Sequence, residues 1–491
     1  MTFGVYEKPV CSPGSRSAFV LPSIPVEPED LPWLRDELTD QLARHTIEEI
    51  SSSEAYRLNA AGYPISNGFI VHQSDKRRLV VNLSKQSNFF RDQPTKMETL
   101  ESFAVELNQD DHMFSFDIAK GYHHFRLHPD IRDWFIYRID GRYFRCISLP
   151  FGWKLSPTYF IKFMRPMVQY VRQQLRLRIH PYMDDFLIAV KSRAKLIKAR
   201  QKVADLLENC GLQRKVGKGC WEGARRFEHL GFIVDTKKLL FGITDSRLEK
   251  LSSISQQLLQ QARRNRRLVD LSLLRHFCGV AISCSLAMPL SRFYTRSLYD
   301  SMKAKRGKGG RVRLMHAAIK DLKHWRDLRE SRPSRSIHSA SPTMAMHSDA
   351  STSIGSGGTL GADLRQGSPG TWEAKGLWDP ILRTKPITFL ELRAVTENLR
   401  SFSQYVSRGT HLKIWKDNMA VVFILNSMTS RSPALMDELR ALHHLLTRLG
   451  IRSRPSTSQP RSTATPISCL DFRRWTTGRS TKRLFKICYV R

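Results

Sequence analysis

The stretch His180-Pro181-Tyr182-Met183-Asp184-Asp185-Phe186-Leu187-Ile188 decides how this chain is read. Two adjacent carboxylates stand between apolar β-formers, which predicts a hairpin with the acids at its tip. Alone, such a pair is more often an ordinary turn. A second element changes its weight: Phe114-Ser115-Phe116-Asp117-Ile118 carries a carboxylate at the end of an apolar strand, 67 residues before Asp184. Three carboxylates converging from two strands suit nucleotidyl transfer. That chemistry needs two hard divalent ions, one lowering the pKa of an attacking 3′ hydroxyl and one bridging a triphosphate, and carboxylate oxygens are their natural ligands.

Three motifs occur in order: FDIAKGY at 116–122, LPFGWKLSP at 149–157 and YMDD at 182–185. On them the chain resembles a reverse transcriptase. The resemblance implies a right-hand polymerase fold and makes Asp117, Asp184 and Asp185 the metal-binding catalytic acids, with the Ile118 carbonyl as an extra ligand. It implies Mg²⁺, two ions per active site, with Mn²⁺ as a substitute. Tyr122 matches the family's aromatic gate against a 2′ hydroxyl; its bland reading is a core aromatic. Phe151 and Gly152 match the loop beneath the incoming base, where many relatives carry Gln in place of Phe151. Lys76 and Arg78 in Lys76-Arg77-Arg78-Leu79-Val80-Val81-Asn82 fall on the fingers strand that grips the triphosphate, as cations and forked donors can. Asn82 and Ser84 replace the Asp and Arg that usually pair there. Lys218 matches the lysine proposed to protonate the leaving pyrophosphate, with Lys215 as a competitor, and Phe227–Phe232 resembles the primer grip.

A second acidic set lies downstream. Asp349 ends a strand-like run, Glu391 sits in a helical run 42 residues later, and Asp417 follows the strand Lys413-Ile414-Trp415 after 26 more. Strand, helix and strand acids in this order, with Asn418 next to the last, resemble an RNase H domain, a two-metal hydrolase of the RNA in hybrids. The family's fourth acid has no clear counterpart. After Ile451 the chain holds ten Lys or Arg, twelve Ser or Thr and one acid, Asp471. Our reading is a frameshift near Arg454, which an uninterrupted frame in close copies would refute. The competing reading keeps Asp471 as the fourth acid.

Composition agrees with such chemistry. At 491 residues and about 150 per domain, roughly three domains are expected. Hydrophobic residues at 41% and charged ones at 25% exclude a wholly disordered or collagen-like chain. Lys plus Arg exceed Asp plus Glu by 79 to 45, a net charge of +34 that marks a polyanion binder. The eight cysteines include no C-x-x-C pair, so neither a zinc module nor a disulfide framework is expected. No signal peptide or membrane anchor is read, which points to an intracellular setting, cytoplasm and/or nucleus.

The expected class is mixed, α+β and α/β, in five segments. They are an N-terminal lead with a helix over Leu31 to Ile50 (1–60), fingers and palm (61–235), a helical thumb or connection with a basic linker (236–340), an RNase H-like domain (341–453) and the basic tail (454–491). Within the third segment Arg263, Arg264, Arg266 and Arg267 suit a helix lying along a phosphate backbone, or a solvated face. Glycines at 355–361 are read as hairpin signals. The flavour is that of DIRS-type retrotransposons, from Leu273-Leu274-Arg275-His276-Phe277-Cys278-Gly279 onward. The implied partners are RNA template, DNA primer, RNA–DNA hybrid, dNTPs and an element-encoded tyrosine recombinase or other retroelement protein, with no membrane. A decayed copy that binds nucleic acid without catalysis is the alternative.

Overall fold

The computed structural model describes residues 4–10, 12–14, 18–73, 76–303, 310–338, 341–362, 372–451 and 486–489. The chain divides into two compact units, Met1–Leu230 and Gly231–Arg491, and the architecture is mixed α+β.

The first unit is built on two sheets. One has the order β1-β6-β5-β2-β3, from strands β1 (Ile47–Ile50), β2 (Ile65–Gln73), β3 (Lys76–Val81), β5 (Ile136–Ile139) and β6 (Arg142–Cys146). Only its β2–β5 pairing is parallel. The other is antiparallel, order β4-β8-β7, from β4 (His112–Asp117), β7 (Arg178–Tyr182) and β8 (Asp185–Val190). Alternation along β4 sends Phe114 and Phe116 into the core, where Phe116 stacks on Phe186 at 5.1 Å and both meet Trp221 edge-on. Two long helices cover this sheet's neighbourhood. Ser156–Gln173 buries Tyr159, Phe160, Met164, Val168 and Val171, and Arg193–Asn209, capped by the Ser192 hydroxyl, buries Leu196, Ala199, Val203 and Leu207. Strand β9 (Arg226–His229) ends the unit.

The helix expected over Leu31 to Ile50 stops at Ala43. His45 takes a left-handed φ of 53°, and Ile47–Ile50 becomes β1, pairing with β6. The cause is non-local: Glu48 and Glu49 meet Arg145 and Arg142 across the ladder at 2.5 and 2.6 Å, so pairing overrides the helical spacing.

In the second unit β10 (Phe232–Asp235), β11 (Leu240–Ile243) and β14 (Ser334–Ser336) pair antiparallel, and β12 (Leu268–Asp270) pairs with β13 (Arg311–Arg313). Helices Asp245–Arg264, Leu271–Ser283, Ser291–Lys303 and His316–Arg326 follow the expected helical stretch. Arg263 and Arg264 close the last turn of the first of these, where cations oppose the helix dipole. Arg266 and Arg267 lie beyond it with φ of 48° and 71°, so the basic run turns a corner instead of lying along one helix.

The remainder of that unit is a five-stranded sheet, order β17-β16-β15-β18-β19, from β15 (Met344–Ala350), β16 (Gly355–Ala362), β17 (Trp372–Leu377), β18 (Leu412–Lys416) and β19 (Lys486–Tyr489). β15 and β18 run parallel, with Met346 opposite Ile414. Helices Ile387–Ser401 and Pro433–Leu449 bury Leu392, Val395, Leu399, Leu439, Leu442 and Leu446 in one core with Met346, Leu360 and Ile414. The glycine-rich run is itself strand β16 and not a turn: Asn398 donates to the Gly357 carbonyl at 2.9 Å and to the Ser348 hydroxyl at 3.0 Å, fixing β16 beside β15. Residues 454–485, including Asp471, and with them most of the expected frameshifted tail, lie outside the described residues. Among the described residues no helix is long and apolar enough to cross a membrane.

Candidate active sites

In the first unit, antiparallel register sets Asp117 directly opposite Asp185, and Tyr182 pairs with Asp185 across the hairpin. Opposed residues share a face, so the two carboxylates meet at the end of the sheet. Asp117 is buried and Asp185 half-buried. Burial first, and then the Asp117 carboxylate, pushes Asp185 up to about 7. Met183 takes a left-handed φ of 53° at the turn. Asp184 there is exposed, and its carbonyl accepts from the Ile118 N–H at 3.0 Å. Its side chain lies toward Gly121 and Tyr122, beside the Asp117–Asp185 pair.

Lys218 inserts its ammonium between these acids, bonded to Asp117 and 3.7 Å from Asp185. Its loop is pressed onto β4: the Cys220 N–H donates to the Ser115 hydroxyl at 2.9 Å, and Gly219, with φ of 76°, lies so close that a Cβ would stand 2.7 Å from the Ser115 carbonyl. Burial opposes the charge, but Asp117 and Asp185 hold Lys218 above the usual lysine range. Lys215 instead gives its backbone N–H to the Asp117 carbonyl at 2.8 Å, so Lys218 is the lysine whose side chain reaches the acids.

Beside them Tyr122 packs on Phe151 at 4.7 Å and on Phe160 at 5.5 Å. Burial, then Asp184, pushes its hydroxyl up to about 12. Phe151 is exposed, as an aromatic offered to a ligand would be. Gly152 has φ of 90°, and a Cβ there would lie 2.8 Å from the Val81 carbonyl, so its glycine is demanded by contact with the end of β3. On β3, Arg77 turns to Asp30 at 2.8 Å, while Lys76 and Arg78, of opposite parity, are exposed. The Ser84 hydroxyl donates to the Asn82 side chain at 2.5 Å where relatives' ion pair would stand.

In the second unit Asp349 on β15, Glu391 on helix Ile387–Ser401 and Asp417 just after β18 converge, with one oxygen of each within 4.8 Å of the others. Glu391 is buried, Asp417 half-buried and Asp349 exposed. Asn418 caps the Met419–Ser427 helix, its side chain accepting from Ala420 N–H at 3.0 Å and Val421 N–H at 3.3 Å, which fixes where Asp417 leaves the strand. Sequence reasoning missed Lys416. Its ammonium is fully buried, pairs with Glu391 and donates to the Ser348 carbonyl at 2.7 Å. The available signal was a charged residue at the strand parity of Leu412 and Ile414.

Residues 73–234 match the family described as reverse transcriptase (RNA-dependent DNA polymerase), so the chain carries a reverse transcriptase domain there. An enzymatic polyprotein of Cassava vein mosaic virus is 24% identical over 170 residues, 33% of this chain and 24% of that protein, so the match spans about a quarter of the relative. Among solved structures, a foamy viral protease-reverse transcriptase with double-stranded DNA aligns over 94% of this chain and 88% of its own, with a TM-score of 0.58 and 13% identity. The same type of protein with an RNA/DNA hybrid aligns over 97% and 60%, at 0.57 and 13%. These are likenesses of fold.

Proposed function

We propose that the chain is a retroelement RNA-directed DNA polymerase with an RNase H centre, closest to DIRS-type elements, acting on RNA template, DNA primer and dNTPs inside the cell. The observation that carries the polymerase half is the Asp117–Asp185 pair with Lys218 inside a segment matching the reverse transcriptase family. The donor set fits divalent ions: Asp185 is raised by burial first and then by the neighbouring Asp117 carboxylate, the oxygens are hard donors, and an ammonium already stands among them. Asp117, Asp184, Asp185 and the Ile118 carbonyl would hold Mg²⁺ or Mn²⁺, which supplies charge stabilisation and an acidified primer hydroxyl.

The chain's own residues do the rest. Lys76 and Arg78 grip the triphosphate, Phe151 and Gly152 support the incoming base, and Tyr122, braced by Phe160, blocks a 2′ hydroxyl. Lys218, held at the acids yet half exposed, delivers a proton to the leaving pyrophosphate. In the second unit Asp349, Glu391 and Asp417 fit one or more divalent ions by their mutual approach, and hydrolysis of RNA in RNA–DNA hybrids is the activity that this fits. The solved relatives with duplex DNA and hybrid bound support substrates of this kind. The test is primer extension on an RNA template with Mg²⁺, comparing dNTPs with NTPs and the parent with Asp184→Asn and Asp185→Asn, beside cleavage of a labelled hybrid by the parent and Asp349→Asn. No extension by a folded parent, or extension surviving in both variants, rejects the polymerase reading; hybrid cleavage unchanged by Asp349→Asn rejects the second.

A further inference from the structure

Residue 416 breaks the pattern of its own strand. In β18 the residues Leu412, Ile414 and Lys416 share one face, and the first two lie in the core at 1% and 0% exposure. Lys416 is equally buried. A charge at such a position persists only when paired and hydrogen-bonded. Its partners include Glu391 and the Ser348 carbonyl, so the ammonium ties together the helix and the strand that carry Glu391 and Asp349. Among the described residues, three carboxylates and this ammonium leave two negative charges, the amount that one divalent ion neutralises.

We propose that Lys416 is a resident cation of the second acidic centre, standing in for one divalent ion, so that the centre takes up a single Mg²⁺ or Mn²⁺. The inference rests on reading that centre as a metal-dependent nuclease site. Lys416 acts as a positioning residue: it pairs with Glu391, and Asp349, Glu391 and Asp417 would hold the ion. It is rooted in a strand, and its side chain is wholly shielded from solvent.

The experiment counts ions. The full chain carrying Asp117→Asn and Asp185→Asn, which silences the first centre, is titrated with Mn²⁺ and the free ion read by electron paramagnetic resonance, with added Asp349→Asn as the blank. One Asp349-dependent Mn²⁺ is expected. Lys416→Met should then hold two, or hold one at least about tenfold more tightly, because a fixed charge a few ångströms away is gone. Lys416→Arg should behave as the parent. Two ions in the parent, or an unchanged count and affinity in a Lys416→Met chain whose circular dichroism matches the parent, overturns the proposal. Should Lys416→Met not fold, the parent's count alone decides. No Asp349-dependent ion in either chain removes the nuclease reading, and the inference with it.

Discussion

Each unit sets an ammonium among carboxylates, and the two do so differently. Lys218 comes from a loop, with half of its side chain in solvent, and touches acids at the open end of a hairpin. Lys416 comes from a strand interior with none of its side chain in solvent. A loop lysine can leave and return, as the proton delivery proposed for it requires, whereas a strand lysine is part of the wall. The same pair of charges is therefore a moving part in one centre and a fixture in the other.

The largest effect should come from removing the first centre's acids. Asp117→Asn or Asp185→Asn should lower primer extension on the order of 10³-fold, the loss of several kcal/mol of transition-state charge stabilisation, in a chain that still melts cooperatively. Extension that survives would dissolve the comparison at its root. Next, Lys416→Met should cost about 3–5 kcal/mol in metal-free buffer, because it leaves Glu391 buried and unpaired, while Lys218→Ala should cost at most about 1 kcal/mol. Denaturant melts with chelator check this, and equal costs would erase the distinction between fixture and moving part.

Acid tests the ground beneath the first centre. His180 on β7 and His229 on β9 are buried 5.9 Å apart, and burial lowers them to about 4 and about 3. Both bind protons more readily unfolded, so stability falls as pH drops below the ordinary value near 6.5 and levels off near pH 4 and 3. Between pH 7 and 5 the loss should be about 2 kcal/mol per histidine. The protection of the β7 and β8 amides against hydrogen exchange, relative to the intrinsic rate at each pH, should fall over that range, and His180→Phe should flatten the response. Gly152→Ala should cost about 1–2 kcal/mol from the left-handed φ together with the Val81 carbonyl in its way, read as a lower melting temperature.

The grouping of the acids in each unit was legible from residue type, order and spacing: Asp117 and the Tyr182–Asp185 run announce strands ending in carboxylates. Choosing between Lys215 and Lys218 was not possible from spacing three apart; the loop's fit against Ser115 makes that choice. Ile47–Ile50 kept a helical rhythm and yet formed a strand, since its partners lie near residue 145, beyond any local window. The glycines of β16 read as turn because a strand of small residues needs Asn398, some forty positions away, to explain it. Only the parity of a short strand marked Lys416 as interior.

The opposed placement of Asp117 and Asp185 also bears on how such a gene can change. Substitutions along β4 and β8 alter packing by degrees and can be absorbed one at a time. Losing or gaining a single codon within either strand shifts the ladder by one step, and because side chains alternate, one acid would then face the core while the other faced the substrate. The first unit should therefore drift freely in identity while staying rigid in spacing, so that length between the acid and the hairpin tip is the more durable record of ancestry.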